Sequence, residues 1–221
     1  MRRIDTDWPG GIGWIGNPDE VMERASHAIN GEKGYWLVDP VNAGEVADLI
    51  PDQIAGVVVC FDHHRRDAAM IATQHDVSVH LPDELDNLAS SIDAPTGPID
   101  PFRQDTGWTT HVIRDWYGWR EVALRAPGGD TVRIPESLGT AKYFRAPGER
   151  LGVHPMARLM PPRDPLSTIA ADRVLVGHGE GVMSDGTAHI DEAIGHARRR
   201  LPQAYTRALL SVPAVVRDLL R

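Results

Sequence analysis

The run "IAGVVVCF" (54–61) is apolar and rich in β-branched residues, with almost no polar alternation. A strand of that kind is buried on both faces, so the chain has to lay other elements over both sides of a sheet. The run stops abruptly in "DHHRRDAA" (62–69), where His63 and His64 stand with Arg65 and Arg66 between Asp62 and Asp67. A buried strand ending this way delivers polar groups to one edge of the sheet. Such groups either hold a metal ion or pair with one another.

The surrounding sequence supplies the layers. "GIGWIG" (11–16), "GYWLVDP" (34–40) and "VSVHL" (77–81) are short strand signals, and Pro40 stops the second. "PDEVMERASHAI" (18–29) predicts a helix, with Val21, Met22, Ala25 and Ile29 at helical spacing and His27 as a buried core residue upon it. "AGEVADLI" (43–50) and "RDAAMIATQH" (66–75) predict two more helices. Residues 82–107 are polar and rich in Pro, Asp and Ser, and read as a long loop, with room for a helical turn, that covers a site rather than merely connecting elements. "THVIRDW", "REVALRA" and "DTVRIP" are consecutive strands, the last two joined by the turn "APGGD". After an irregular stretch (136–165), "DRVLVGHGEGV" (172–182) is a strand entering a glycine-rich turn. Two helices follow, over 191–201 and 204–220, the second kinked at Pro213. No linker divides the chain, and the expectation is one mixed α/β domain over 1–221 built from sheets and helices in layers.

Charge and composition narrow the function. A net charge of −8 argues against a nucleic-acid surface. No apolar stretch reaches the ~20 residues of a bilayer span, and the N-terminus lacks the apolar segment of a signal peptide. The one cysteine, Cys60, lies in an apolar run and reads as a buried, inert thiol. The expectation is a cytoplasmic protein that binds neither nucleic acid nor membrane, with a small-molecule ligand and a homo-oligomer both left open.

The order of these segments resembles the metallo-β-lactamase superfamily over roughly residues 10–200. That family carries H-x-H-x-D-H after a buried strand, and further ligands after later strands. "WLVDP" resembles its early strand ending in Asp, "GWREVAL" its segment with a ligand His, "TVRIPESLGT" its strand leading to an Asp ligand, and "RVLVGHGEG" its last strand and His turn. Within the superfamily the chain is most similar to a bacterial branch carrying D-R-H-N-R-D, whose later motifs are matched by "SLGTAKYF" (137–144) and "LGVHPMARLMPP" (151–162). The resemblance implies the αββα sandwich and, in most relatives, metal-assisted hydrolysis of esters, amides, thioesters or phosphodiesters.

Laid on that motif, Asp62 replaces the first His, His64 keeps the second, Arg66 stands at the Asp ligand and Asp67 replaces the last His. Trp119 stands at a further His, Glu136 near the bridging Asp, and His178 matches outright. A guanidinium cannot ligate a cation. The resemblance therefore implies that Arg66 excludes a second ion and pairs with Asp67, Asp62 or Glu136. The expected cofactor is none, in a degenerate cleft that binds a small molecule or a partner. The alternative is one divalent metal such as zinc on His64, Asp67 and His178, with Asp62 and Glu136 as further candidate ligands, in a mononuclear hydrolase. A third class is a purely interacting protein with a dimer face on its C-terminal helices.

Asp39 is expected to support the motif loop by hydrogen bonds. His154, in a proline-stiffened loop with Arg158 and Arg163, reads as structural, with anion binding over a pocket as the other option. Trp116, Tyr117 and Trp119 read as core packing, or as an apolar wall for a ligand.

Overall fold

In a computed structural model, which describes residues 1–41, 46–50 and 53–209, seven strands form one sheet in chain order. They are β1 (Arg2–Ile4), β2 (Gly11–Ile15), β3 (Ala25–Gly31), β4 (Gly34–Val38), β5 (Ile54–Val58), β6 (Val79–Leu81) and β7 (Thr96–Pro98). The first four pair antiparallel and the last three join in parallel. A second sheet has the order β13-β10-β9-β8, from β8 (Thr109–Trp116), β9 (Trp119–Arg125), β10 (Thr131–Ile134) and β13 (Arg173–Val176). A two-stranded ribbon pairs β11 (Leu138–Gly139) with β12 (Gly152–Val153).

The period-2 geometry of a strand sorts side chains between two faces. On the first sheet Trp36, Val38, Val58 and Cys60 point at the second sheet, where they meet Leu124 and Leu175. Leu37, Val57 and Val59 point the other way, onto Ala68, Ile71 and Ala72 of α2 (Ala68–Gln74). The outer face of the second sheet, with Val132, Val174 and Val176, is covered by Leu166 of α4 (Arg163–Ser167) and by Ile190 and Ile194 of α5 (Gly186–His196). The result is four layers, helix–sheet–sheet–helix, as expected from the resemblance. "VVVC" is apolar throughout because its two faces are buried in two different cores.

Three expectations are corrected. Residues 18–29 are not a helix: 18–22 form turns and Ala25–Gly31 is a central strand, paired with β2 and β4. The spacing of Val21, Ala25 and Ile29 matches a helix, but two neighbouring strands offer the backbone of 25–31 a full set of partners, and pairing overrides the local pattern. His27 is a buried core residue as expected, but on β3, with Nε2 2.9 Å from Asp5 Oδ2. Residues 82–107 are largely regular: a 3-10 helix (Asp83–Ser91), then β7 and α3 (Asp100–Thr106). Pro98 is tolerated in β7 because that strand is the sheet edge. Trp116 and Tyr117 are not core residues; they are 53% and 98% exposed at the β8–β9 turn, beyond the reach of either packed layer.

Helix α1 covers Val46–Leu49 of the expected 43–50. The last expected helix is present over 201–209, and its continuation with Pro213 lies outside the described residues. Among the described residues no helix is long and apolar enough to cross a membrane.

Candidate metal centre

Loops at neighbouring strand ends bring six side chains together. Asp39 follows β4, His64 and Arg66 lie in the loop after β5, Glu136 follows β10, His154 follows β12 and His178 follows β13. Asp39 and Arg66 both adopt left-handed backbone, at φ 45° and 39°, which is uncommon for residues with a Cβ and marks sharp reversals of the chain. Gly177 and Gly179 flank His178. A Cβ on Gly177 would lie 2.1 Å from Pro135 O and 3.1 Å from His64 Cε1, and one on Gly179 would lie 2.5 Å from Ala141 N. Both positions therefore exclude a side chain, and this lets the His178 turn approach the centre closely.

His64 Nε2, His178 Nε2 and Glu136 Oε2 converge. The nitrogens are 3.2 Å apart, and the oxygen is 3.0 Å from the first and 2.9 Å from the second. The other nitrogen of each ring fixes its tautomer. His64 Nδ1 faces Asp39 Oδ2 at 3.0 Å, and His178 Nδ1 faces the Met22 carbonyl at 2.8 Å. Both Nδ1 atoms must donate, so in the neutral rings both Nε2 atoms present lone pairs to each other and to a carboxylate oxygen. His154 is the opposite case. Its Nδ1 accepts from Met156 N–H at 3.2 Å, so Nε2 carries the proton and reaches Glu136 Oε1 at 3.3 Å.

The surroundings set the protonation states. Burial, then the charge of Arg66, holds the His64 pKa below its ordinary value. Burial likewise pushes His154 down to about 4. Burial pushes the Glu136 carboxyl up, but a proton on His178 or His64 would set charge and a hydrogen bond against it, and that outweighs burial and holds the group well below its ordinary value. For Asp39, too, burial is overcome, chiefly by Arg133 and His64, so it stays ionised. Asp39 Oδ1 also accepts from Cys60 N–H at 2.8 Å, and Oδ2 takes a short hydrogen bond from Arg133.

His64, Arg66, Glu136, His154 and His178 line a cleft of about 430 Å³, together with Arg24 and the apolar side chains of Met22, Phe61, Trp119 and Tyr143. That size suits a small molecule.

No protein-family model matches the sequence, and no curated protein matches it. Solved structures do. The flavodiiron protein from Giardia intestinalis superposes with a TM-score of 0.60 at 13% identity, over 91% of this chain and 59% of that one. A β-lactamase domain protein from Burkholderia ambifaria superposes at 0.58 and 15% identity, over 98% and 84%. A metallo-β-lactamase from Pseudomonas aeruginosa, solved in its mono-zinc form, superposes at 0.51 and 10% identity, over 80% and 84%. The chain has the metallo-β-lactamase fold.

Of the residues expected at the centre of that fold, His64, Glu136 and His178 meet, and Arg66 and Trp119 line the same cleft. Asp62 and Asp67 do not. Asp62 is buried, but Oδ2 accepts from Arg120 N–H at 2.7 Å, which ties the motif loop to β9. Asp67 stands at the N-cap of α2. The cluster that could hold an ion is thus His64, Glu136 and His178, with Glu136 rather than Asp67 beside the two histidines. Arg66 turns inward, but not to a carboxylate. Its Nη1 donates to the carbonyls of Ala25 and Asp39 at 2.7 and 2.9 Å, and Nη2 donates to Gly177 O at 3.1 Å and lies 3.2 Å from His64 Nε2.

Asp39 supports the motif loop as expected. His154 joins the centre, whereas Arg158 is buried in an ion pair with Glu149 and serves the loop.

Glu121 was not anticipated. This fully buried acid accepts from the backbone N–H groups of Glu136 and Ser137 at 2.8 and 2.7 Å, and from Trp119 Nε1 at 3.1 Å. It fixes the loop that carries Glu136. The available signal was an acid followed by an apolar strand run, "EVAL".

Proposed function

We propose that the chain holds one divalent metal ion on His64 Nε2, His178 Nε2 and a carboxylate oxygen of Glu136, and that it acts as a mononuclear metal-dependent hydrolase of a small ester, amide or phosphodiester. The observation that carries this reading is the convergence of three lone-pair atoms on rings whose other nitrogens are already committed as donors. Metal-binding histidines are typically held in this way, by a carboxylate or a backbone carbonyl on the second nitrogen. Bonds of about 2.0–2.1 Å to a tetrahedral ion set neighbouring ligand atoms about 3.3 Å apart. The observed 2.9–3.2 Å lies close to that spacing. Two imidazoles and one carboxylate suit zinc.

When bound, the ion would supply Lewis-acid polarisation of a carbonyl or phosphoryl oxygen. The protein's own groups do the rest. Asp39 and the Met22 carbonyl aim the two imidazoles, and burial keeps His64 neutral and so able to ligate. His154 N–H holds Glu136 Oε1, leaving Oε2 for the ion. Arg66 brings positive charge to the floor of the cleft, where it favours an anionic substrate group. The wall of Phe61 and Trp119 excludes water from one side of the bound molecule.

A second reading rests on Arg66. Its Nη2 reaches the His64 lone pair, so the guanidinium can be the cation of a metal-free centre that only binds its ligand. Elemental analysis of protein prepared without tag or chelator separates the two. About one zinc, iron or manganese per chain, lost in His64→Ala and His178→Ala, supports the hydrolase. A value near zero after incubation with excess metal rejects it in favour of the metal-free cleft.

A further inference from the structure

Behind the motif loop lies a second cavity, of about 280 Å³, lined by His63, Arg65, Arg66, Ala69, Ser91 and Ile92. It shares His63 and Arg66 with the cleft. Its charge is unusual for this chain. The protein carries −8 overall, yet this lining holds two arginines and a histidine and no acid. Among the described residues neither arginine has an ion-pair partner, although Asp39 and Glu136 attract Arg66 from the side of the cleft. Arg65 has no hydrogen-bond or ion-pair partner for its side chain among the described residues, and Arg66 spends its donors on carbonyls and on His64, with no ion pair. Arg66 Nε is buried and has no hydrogen-bond partner among the described residues. The uncommitted guanidinium of Arg65, with the Arg66 charge beside it, concentrates positive potential in a concavity, and its planar fork suits the geometry of an oxyanion.

We propose that the His63–Arg65–Arg66 cavity is an oxyanion subsite, which takes the carboxylate or phosphate tail of the molecule whose reacting bond lies at His64, Glu136 and His178. What the tail is attached to rests on the function proposed above; the subsite itself does not. It makes the substrate an elongated one, anionic at the end remote from the bond that is cleaved. Arg66 serves both compartments, so it sets the distance between tail and reacting group.

The test titrates inorganic phosphate and acetate separately into the full chain at low ionic strength, by calorimetry, with zinc loaded and after chelator treatment. The expected result is saturable binding of at least one anion to the chelator-treated protein. It should weaken about tenfold in Arg65→Ala, the loss of one charge-assisted contact, and vanish in Arg65→Glu, with zinc content of the loaded protein unchanged in both variants. Binding of phosphate alone identifies a phosphate tail, and binding of acetate alone a carboxylate. Absence of saturable binding to the chelator-treated protein, or equal affinity in Arg65→Glu, overturns the subsite. Binding seen only with zinc loaded also overturns it, because the anion then sits on the ion. Arg65-dependent binding to a protein that takes up no zinc leaves the subsite standing and removes the metal centre instead.

Discussion

His64 Nε2 and His178 Nε2 face each other across 3.2 Å, although both rings spend their other nitrogen on an acceptor. Two lone pairs directed at one carboxylate oxygen are stable only with positive charge between or beside them. A metal ion between them, or the Arg66 guanidinium beside them, provides it. The first prediction follows from that choice. If the ion is the resident charge, a chelator removes it and exposes the repulsion. At a metal concentration 100 times the dissociation constant, binding stabilises the folded state by about 2.7 kcal/mol. The melting temperature should drop by several degrees on chelation and recover on adding zinc, as read by differential scanning calorimetry.

Asp39 holds His64, Cys60 N–H and Arg133 with one carboxylate. Asp39→Asn keeps the shape and deletes the charge, which leaves Arg133 buried without a counter-ion. Breaking a buried pair from one side costs about 3–5 kcal/mol, and loss of a carboxylate that orients a ligand histidine lowers metal affinity about 10–100-fold. Urea unfolding and competition with a chromophoric chelator read the two effects. The sign with pH is fixed by the lowered folded pKa. The Asp39 contribution is complete above its unfolded value, about 3.9, and is lost only as the pH falls below that toward the folded value. Acid unfolding of the wild type should therefore begin below about pH 4 as far as this group is concerned.

His154 titrates in a different window. Burial lowers its folded pKa to about 4 from an ordinary 6.5. Between those values the unfolded chain takes up a proton that the folded protein refuses, so stability falls as the pH drops from about 6.5 to about 4 and does not change on this account below. In a histidine NMR titration the His154 ring should stay neutral from pH 8 down to 5. A midpoint above 6 would show that its Nε2 is not held as described.

Arg66 clamps carbonyls at the ends of three strands or strand-end loops, Ala25, Asp39 and Gly177. Lysine keeps the charge but has no planar fork. Arg66→Lys cannot reach all three, and leaving buried carbonyls unsatisfied should cost about 1–3 kcal/mol. The measurement is the urea midpoint, with the Arg66→Ala variant expected to lose at least as much.

Cys60 lies buried between the two sheets, and burial raises its thiol pKa well above the ordinary value. A thiol kept protonated and covered does not react. A disulfide reagent should leave the native protein unmodified over hours and modify one thiol per chain in denaturant.

The centre is partly legible in the sequence. His64, Glu136, His178, Arg66 and Trp119 are marked by the resemblance of their segments to the family's motifs; the pattern of apolar runs alone shows only that the motif loop and the His178 turn follow strands. Asp62 and Asp67 were wrongly grouped with them. Neighbours along a loop alternate direction, and sequence does not say which carboxylate a sharp left-handed turn at Arg66 will swing inward. His154 was placed in a structural loop because nothing local separates a histidine that seals a cleft from one that braces a loop. Glu121 gave still less signal, for its partners are backbone groups 15 and 16 residues away.

The sequence pattern by itself determined a mixed α/β domain, and the resemblance supplied the order of its layers. An apolar, β-branched run has to be covered on both faces, alternating runs have to be covered on one, and glycines at 177 and 179 permit the close turn that carries His178. These are local consequences of side-chain burial and backbone freedom. It did not determine that 25–31 is a strand, because the partners that make it one lie on β2 and β4. Nor did it determine which oxygen and nitrogen atoms converge. The tertiary structure decided that, through the tautomers set by Asp39 and the Met22 carbonyl, and through an arginine held by carbonyls of residues 25, 39 and 177. Hydrogen-bond direction depends on partners brought together from distant parts of the chain, and only the fold brings them there.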